Sequence, residues 1–502
     1  MAYLMGIDRG STNVKAAIYD LRGQELCAAS TPAEIPSKPH EGWAEQDMCR
    51  IWDNTVQSIR AVLQKSGLDP AEIRAVGFSG HGGGLYAVRA DGSPVRAGIL
   101  SLDSRTYLED LERRRRGETV ESVSKVDPAR LLQWLRQHEP EGYAATHAVM
   151  AAKDYLRFRM TGELAVSLSD FGMSVLVDPA TLQYDARALA RFGIPEAARM
   201  LPPIRDAWEV CGAVTPEAAR QTGLCAGTPC VMGGHDCAAA SFGCGGTRTG
   251  HLTAILGTFS MNMLVGSAAP YASGPEGLFG RPDRAVIPDT WLYMNSALTG
   301  RGLDWFVHTF CQEEQEAARR AGTSVYDALL TQAASAAQRH LVCHPFIIPP
   351  AWAGMEHAQM GLYGVNMNTR RADIIRAVLE GLAFSEVQAL LPMTKLAPVR
   401  ALTLTGGGAS NALWGQIFAD TLGLPVCVPE VGDAACRGAA LLAGVGTGLI
   451  EGFSAIPAPA VRKTYLPQSA QAGATREAFA RWQTYFSHME PLWRAETGEM
   501  RT

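Results

Sequence analysis

Four short stretches of this chain join glycines that free the backbone to hydroxyl, amide or carboxylate side chains. The first is Asp8-Arg9-Gly10-Ser11-Thr12, with Lys15 just beyond. Gly10 lets a turn come close to a ligand, Ser11 and Thr12 add hydroxyl and amide donors, and Lys15 adds a cation, so the parts suit a phosphate cradle. Asp8 closes an apolar run, where a carboxylate can hold hydrated Mg²⁺. A polar hairpin opened by an aspartate turn fits the same residues. A second turn, Gly257-Thr258-Phe259-Ser260, matches the first in the later half. A third, Gly406-Gly407-Gly408-Ala409-Ser410-Asn411, suits close backbone approach by a nucleotide, with Asn411 placed to hydrogen-bond it. The fourth, Gly233-Gly234-His235-Asp236, precedes the small-residue run 237–243. A carboxylate there lies among the N–H groups of a helix start, which favours its charged form. Asp236 can cap that helix, take a proton from an attacking hydroxyl, or do both.

The elements that must carry these turns follow from periodicity. Residues 3–8, 14–20 and 25–30 read as strands joined by turns, and 75–78 with 85–88 read as a second hairpin around Ser79-Gly80-His81-Gly82-Gly83-Gly84. The opening pattern returns in weaker form at 251–256 and 261–265. Each half then closes on a strand, a glycine turn and a helix, at 230–243 and at 401–422. Two α/β halves of similar build would face each other across a cleft lined by the four turns. The expected boundary lies in the glycine cluster 243–250, giving domains 1–245 and 246–502.

At 502 residues the chain exceeds one compact core. A net charge of -5 leaves no basic field for nucleic acid, and Arg113 to Arg116 follow Glu109, Asp110 and Glu112 as a solvated face would. The 11 cysteines form no Cys-x-x-Cys pair, which speaks against a disulfide framework or zinc knuckle and for a reducing cytoplasm. No secretion signal or membrane-length apolar run is read, so no membrane partner is expected. A Walker loop is missing, and Gly80 to Gly84 leads into a strand-like run, which excludes the P-loop and dinucleotide-binding readings.

With these residues in view, the chain resembles the FGGY carbohydrate kinases of the actin-like ATPase superfamily. The resemblance rests on Gly6-Ile7-Asp8-x-Gly10-Ser11-Thr12, Gly42-Trp43-Ala44-Glu45-Gln46-Asp47, Asp103-x-Arg105 and Lys153-Asp154-Tyr155-Leu156. It continues through Gly227-Thr228-Pro229, Gly233-Gly234-x-Asp236, Leu379-Glu380-Gly381, Gly406-Gly407-Gly408 and Gly438-Ala439-Ala440. It implies two actin-like (ribonuclease H-like) domains with mixed β-sheets flanked by helices and the active site in the interdomain cleft. The first domain would bind sugar and supply the base; the second would bind ATP and end in a helical tail. Asp236 would be the catalytic base, Asp8 and Asp236 would hold Mg²⁺, and His81, Gly82, Asp103 and Arg105 would face or support the sugar. Gly10, Ser11, Thr12, Lys15, Gly257, Thr258, Gly300, Gly406, Gly407, Gly408 and Asn411 would contact the nucleotide. The acceptor expected is a ketopentose like xylulose, with erythritol, glycerol or a pentitol as the alternative. A homodimer is the base-rate expectation for such an enzyme. An assembling actin-like ATPase would lack the set Trp43, Glu45, Asp47, Asp103 and Arg105. His81-Gly82-Gly83, Ser101 and the run from Trp352 to His357 depart from many members; Leu100-Ser101-x-Asp103-x-Arg105 is most similar to the L-xylulose kinase branch.

Overall fold

A computed structural model describes residues 1–10, 12–120, 123–267, 278, 283–284, 286–348, 355 and 357–499. Ser11 and most of the run from Trp352 to His357 therefore lie outside the described residues.

The strand Tyr3–Arg9 alternates little and is buried almost throughout, as a central strand covered on both faces must be. It runs antiparallel to Asn13–Tyr19 and parallel to Ile73–Gly80. Glu25–Pro32 extends one side; Pro229–Val231 and Val210–Ala213 extend the other, and Gly234–His235 pairs with the end of Ile73–Gly80. The second half repeats this plan. Leu252–Leu256 runs antiparallel to Ser260–Ser267 and parallel to Leu402–Thr405, within a sheet that Thr290–Ala297, Val426–Pro429 and Val461–Tyr465 help complete. The recurrence read in the sequence is thus a recurrence of topology.

The second hairpin is not formed. Tyr86–Val88 pairs with Ala148–Met150 instead of returning onto Ile73–Gly80. The reason lies at the turn: Gly84 sits at φ 89°, with Ile99 O only 2.3 Å from where a Cβ would stand, and Leu85 bridges to Ile99. The chain therefore crosses away from the sheet rather than doubling back.

The two sheets are joined by a pair of packed helices, Asp236–Gly243 and Ala434–Gly446. The later helix belongs to the second half of the sequence, yet it lies on Tyr3–Arg9 and Ile73–Gly80 of the first sheet. Missing side chains make this approach possible. A Cβ on Gly438 would meet Ala239 O at 1.9 Å, and one on Gly77 would meet Ala439 O at 1.8 Å. Around the pair, Leu4, Tyr19, Ala238, Phe242, Met263, Leu292 and Cys436 form a shared core between the sheets. Each half also has its own core, and Ser469–Glu499 packs Phe479, Trp482 and Trp493 against the second. Among the described residues no helix is long and apolar enough to cross a membrane.

Candidate active site

Three carboxylates from distant parts of the sequence meet near the cleft end of the first sheet. Asp8 stands one residue before the end of its strand, opposite Lys15, is buried, and has an Oδ1 with no hydrogen-bond partner among the described residues. Burial, then the charges of Asp433 and Asp236, push its carboxyl up to about 7. Lys15 pairs with Asp433 at 2.5 Å, across 418 residues of sequence. Asp433 also caps the helix Ala434–Gly446 through the Cys436 amide at 2.9 Å. The sequence reading missed Asp433. The signal was present: an aspartate stands before a small-residue helix there, just as at Asp236.

Asp236 opens the helix Asp236–Gly243, and its Oδ1 accepts from the Cys237 amide at 2.7 Å. The carboxylate keeps 38% of its surface exposed, so it can meet a ligand. Burial pushes its pKa up, but this is outweighed by His235, His81 and the Cys237 thiol, which together hold it below the usual carboxylate range. Asp236 is therefore ionised at neutral pH.

What holds Asp236 in place is a buried ion cluster. Lys153 Nζ lies 2.7 Å from both Asp154 and Asp170, with almost no surface exposed on any of the three. Asp154 accepts from the Ser167 amide, and Ser167 donates to Gly233 O at 2.9 Å. Ser169 accepts from the His235 amide at 3.2 Å. The whole turn 233–236 is thus fastened from below. Asp170 was not singled out in the sequence; burial and the nearby Asp154 push it up to about 6 against the pull of Lys153.

On the acceptor side, His81 is buried and meets the Tyr86 hydroxyl at 3.1 Å through Nε2. Burial and the neighbouring Arg9 bring it down to about 4, so its ring is neutral and can donate or accept one hydrogen bond. Gly82 stands next to His235: a Cβ there would lie 3.5 Å from the His235 Cβ. Asp103 and Arg105 are different. Asp103 accepts from the Ala44 amide and from Arg105, whose guanidinium reaches Glu45 at 2.5 Å and lies over the rings of Trp43 and Trp134. Both are enclosed, and the contacts they make are to supporting residues rather than to Asp236.

The glycine turns sit at the ends of central strands, in matching places in the two sheets. Gly10 and Thr12 connect the first two strands; Thr12 is exposed and its carbonyl accepts from Ala33 N at 2.8 Å. Gly257 and Thr258, both exposed, make the corresponding turn in the second sheet. The helix Gly300–Phe310 begins against it, with Gly300 N donating to Gly257 O at 3.2 Å and Arg301 N to Thr258 O at 2.8 Å. Gly406 adopts φ 87° as the strand Leu402–Thr405 leaves the sheet, and the turn Gly407–Ser410 follows. Gly408 lies against Leu256, so a side chain there would collide, while Gly407 faces open space. Asn411 caps Ala412–Leu422 by accepting from Trp414 N at 3.2 Å. A cavity of about 970 Å³ runs beside this loop and is lined by Gly406, Gly407, Arg22, Arg437 and Glu430 among others.

Two mixed sheets of repeated topology, with glycine turns at the ends of their central strands, define an actin-like two-domain kinase fold. Comparison with known proteins agrees and is more specific. Residues 3–243 match the N-terminal domain of the FGGY family of carbohydrate kinases, and residues 252–447 match its C-terminal domain. The chain belongs to this family and is an ATP-dependent sugar phosphotransferase. It is 32% identical to an L-xylulose/3-keto-L-gulonate kinase of Escherichia coli over 90% of both chains. It is 30% identical to an autoinducer-2 kinase of Yersinia enterocolitica, over 97% of this chain and 94% of that one. In fold it is similar to a xylulose kinase from Rhodospirillum rubrum, with a TM-score of 0.85, 24% identity, and coverage of 98% and 99%.

Proposed function

We propose that this kinase transfers the γ-phosphate of ATP to a hydroxyl of a ketopentose resembling xylulose, with Asp236 as the base. The observation that carries the reading is the setting of Asp236. It is a charged, partly exposed carboxylate within electrostatic reach of both His81 and Asp8, on a turn locked by Lys153, Asp154 and Asp170. Phosphoryl transfer asks the protein mainly for position and charge neutralisation. The acceptor hydroxyl would sit against Asp236, which takes its proton as the oxygen bonds to the γ-phosphorus and the bond to ADP breaks. His81, neutral, orients the sugar by one hydrogen bond, and Gly82 leaves room beside His235. Gly10, Thr12 and Lys15 from one side, and Gly257, Thr258 and Gly406 to Asn411 from the other, hold the nucleotide. Ser11 belongs to the same proposal by its place in the first turn. Asp103 and Arg105 support the wall behind the sugar.

The residues fit a magnesium ion. Asp8 brings a buried oxygen without a partner among the described residues, and the charges of Asp433 and Asp236 act on it against the opposing pull of Lys15. Hard carboxylate oxygens of this kind suit Mg²⁺, and Asp8 and Asp236 would hold it. When bound, the ion supplies neutralisation of the phosphate charge.

The ketopentose assignment draws on relatives named L-xylulose kinase, at 28% to 32% identity. Coupled ADP release over ketopentoses, pentitols, tetritols and glycerol tests it. The expected result is a ketopentose with the highest kcat/KM; a tetritol or glycerol with a large advantage overturns it.

A further inference from the structure

Beneath the Gly257–Thr258 turn lies a fully buried cluster of polar side chains that the proposed mechanism does not use. Its centre is Glu386, on the long helix Arg371–Thr394 behind the second sheet. Ser260 donates to Glu386 Oε2 at 2.5 Å, and Thr299 Oγ1 donates to the same oxygen at 3.3 Å. Ser260, Thr299 and Glu386 are all completely or almost completely enclosed. Asn262 and Asn295 are buried on the neighbouring strands, and Asn295 is tied to Ala389 O of the same helix at 2.6 Å.

The positions of the two hydroxyls matter more than their number. Ser260 begins the strand that leaves the turn, two residues after Thr258. Thr299 stands at the cap position of Gly300–Phe310, but its side chain makes no cap bond. It points to Glu386 instead, and the first amides of that helix bond the turn through Gly257 O and Thr258 O. A Cβ on Gly300 would meet Gly257 O at 2.3 Å, so turn and helix are in close backbone contact. One carboxylate oxygen therefore fastens both sides of the turn.

A buried carboxylate is costly unless hydrogen bonds compensate it, and apolar packing would serve the core at least as well. Burial pushes the Glu386 pKa up, and Ser260, Asn262 and Thr299 oppose that. We propose that Glu386 is a positioning residue for the nucleotide: through Ser260 and Thr299 it fixes the Gly257–Thr258 turn in the conformation that receives the phosphates. The inference rests on the reading of that turn as a phosphate contact. Glu386 itself touches neither substrate.

The test compares steady-state kinetics of Glu386→Leu, Glu386→Gln, Thr299→Val and Thr258→Val, with ATP and the sugar varied separately and Tm recorded. Misplacing a binding group by about an ångström costs up to roughly a hundredfold. Glu386→Leu, which keeps bulk but no acceptor, is expected to raise the KM for ATP about tenfold or more while the KM for sugar changes less than about twofold. Glu386→Gln keeps an acceptor oxygen and is expected to restore most of the affinity. Thr299→Val is expected to give a smaller rise in the same constant, and with Glu386→Gln it decides the matter if Glu386→Leu does not fold. An unchanged KM for ATP in Glu386→Leu and Thr299→Val overturns the inference. So does an equal loss toward both substrates that follows the fall in Tm. Thr258→Val separates the two levels. If it raises the KM for ATP and the Glu386 and Thr299 variants do not, the inference fails alone; if it has no effect, the reading of the turn fails and the inference with it.

Discussion

Replacing Asp236 by asparagine tests the chemistry while sparing the fold. The side-chain oxygen that accepts from the Cys237 amide at 2.7 Å survives in the amide, so the helix start keeps its bond. What is lost is a charged, basic oxygen at the acceptor hydroxyl. A positioned general base is worth about two to four powers of ten, or roughly 3–5 kcal/mol of barrier. Turnover should fall by that factor, while ATP affinity measured without Mg²⁺ changes little because the glycine turns are untouched. A second effect runs the other way. Asp8 stands at about 7, and the charge of Asp236 is the third cause of that rise, after burial and Asp433. Removing it relieves repulsion by about 1 kcal/mol or less, since solvent reaches Asp236 and screens it. The variant should therefore be far slower yet equally or slightly more heat-stable at pH 8 without metal. Coupled ADP release, ATP binding by calorimetry, and a thermal melt measure the three quantities. Turnover within threefold of the parent on its best substrate would remove Asp236 from the chemistry.

Four further outcomes are expected. Thr258→Val should raise the KM for ATP about tenfold, the size of one hydrogen bond to a charged group, and an unchanged value takes Thr258 out of the site. Because Asp8 stands at about 7, its carboxyl is mostly protonated in metal-free protein at pH 6, and a cation must displace that proton. The apparent Mg²⁺ affinity should fall below pH 7 with a slope approaching tenfold per pH unit, and a flat response from pH 5.5 to 8 would contradict the arrangement. The same raised pKa makes Asp8 cost stability as pH rises from about 4 to about 7, so its contribution is largest at the acid end. Lys153→Met should leave Asp154 and Asp170 buried without a cation, at about 3–5 kcal/mol, and a melting temperature within a degree of the parent would argue against the buried cluster.

Turns written in consecutive residues were the easiest part of this protein to read. Gly10 and Thr12, Gly257 and Thr258, and Gly406 to Asn411 each lie at a strand end, where a glycine and a hydroxyl or amide announce themselves locally. Asp236 was legible for the same reason, standing between paired glycines and a small-residue helix. Asp433 was not, because its meaning comes from Lys15, which only the packed pair of helices brings near. Glu386 was hidden in a long helix with no apolar stripe of its own, buried on nearly all sides. Asp103 and Arg105 carried a family pattern, but only the fold places their charges against each other and the Arg105 guanidinium over two indole rings. The misread hairpin failed on a partner strand some 60 residues away, which no local rule of turns could supply.

The helix Ala434–Gly446 comes from the later half of the gene product but rests on the earlier sheet. The first half is therefore incomplete by itself, because the surface formed by Leu4, Ala17 and Ala75 has its cover supplied from the later half of the chain. A fragment stopping near residue 250 would present that oily surface to water and precipitate. The first sheet can be sealed only after synthesis has passed residue 446.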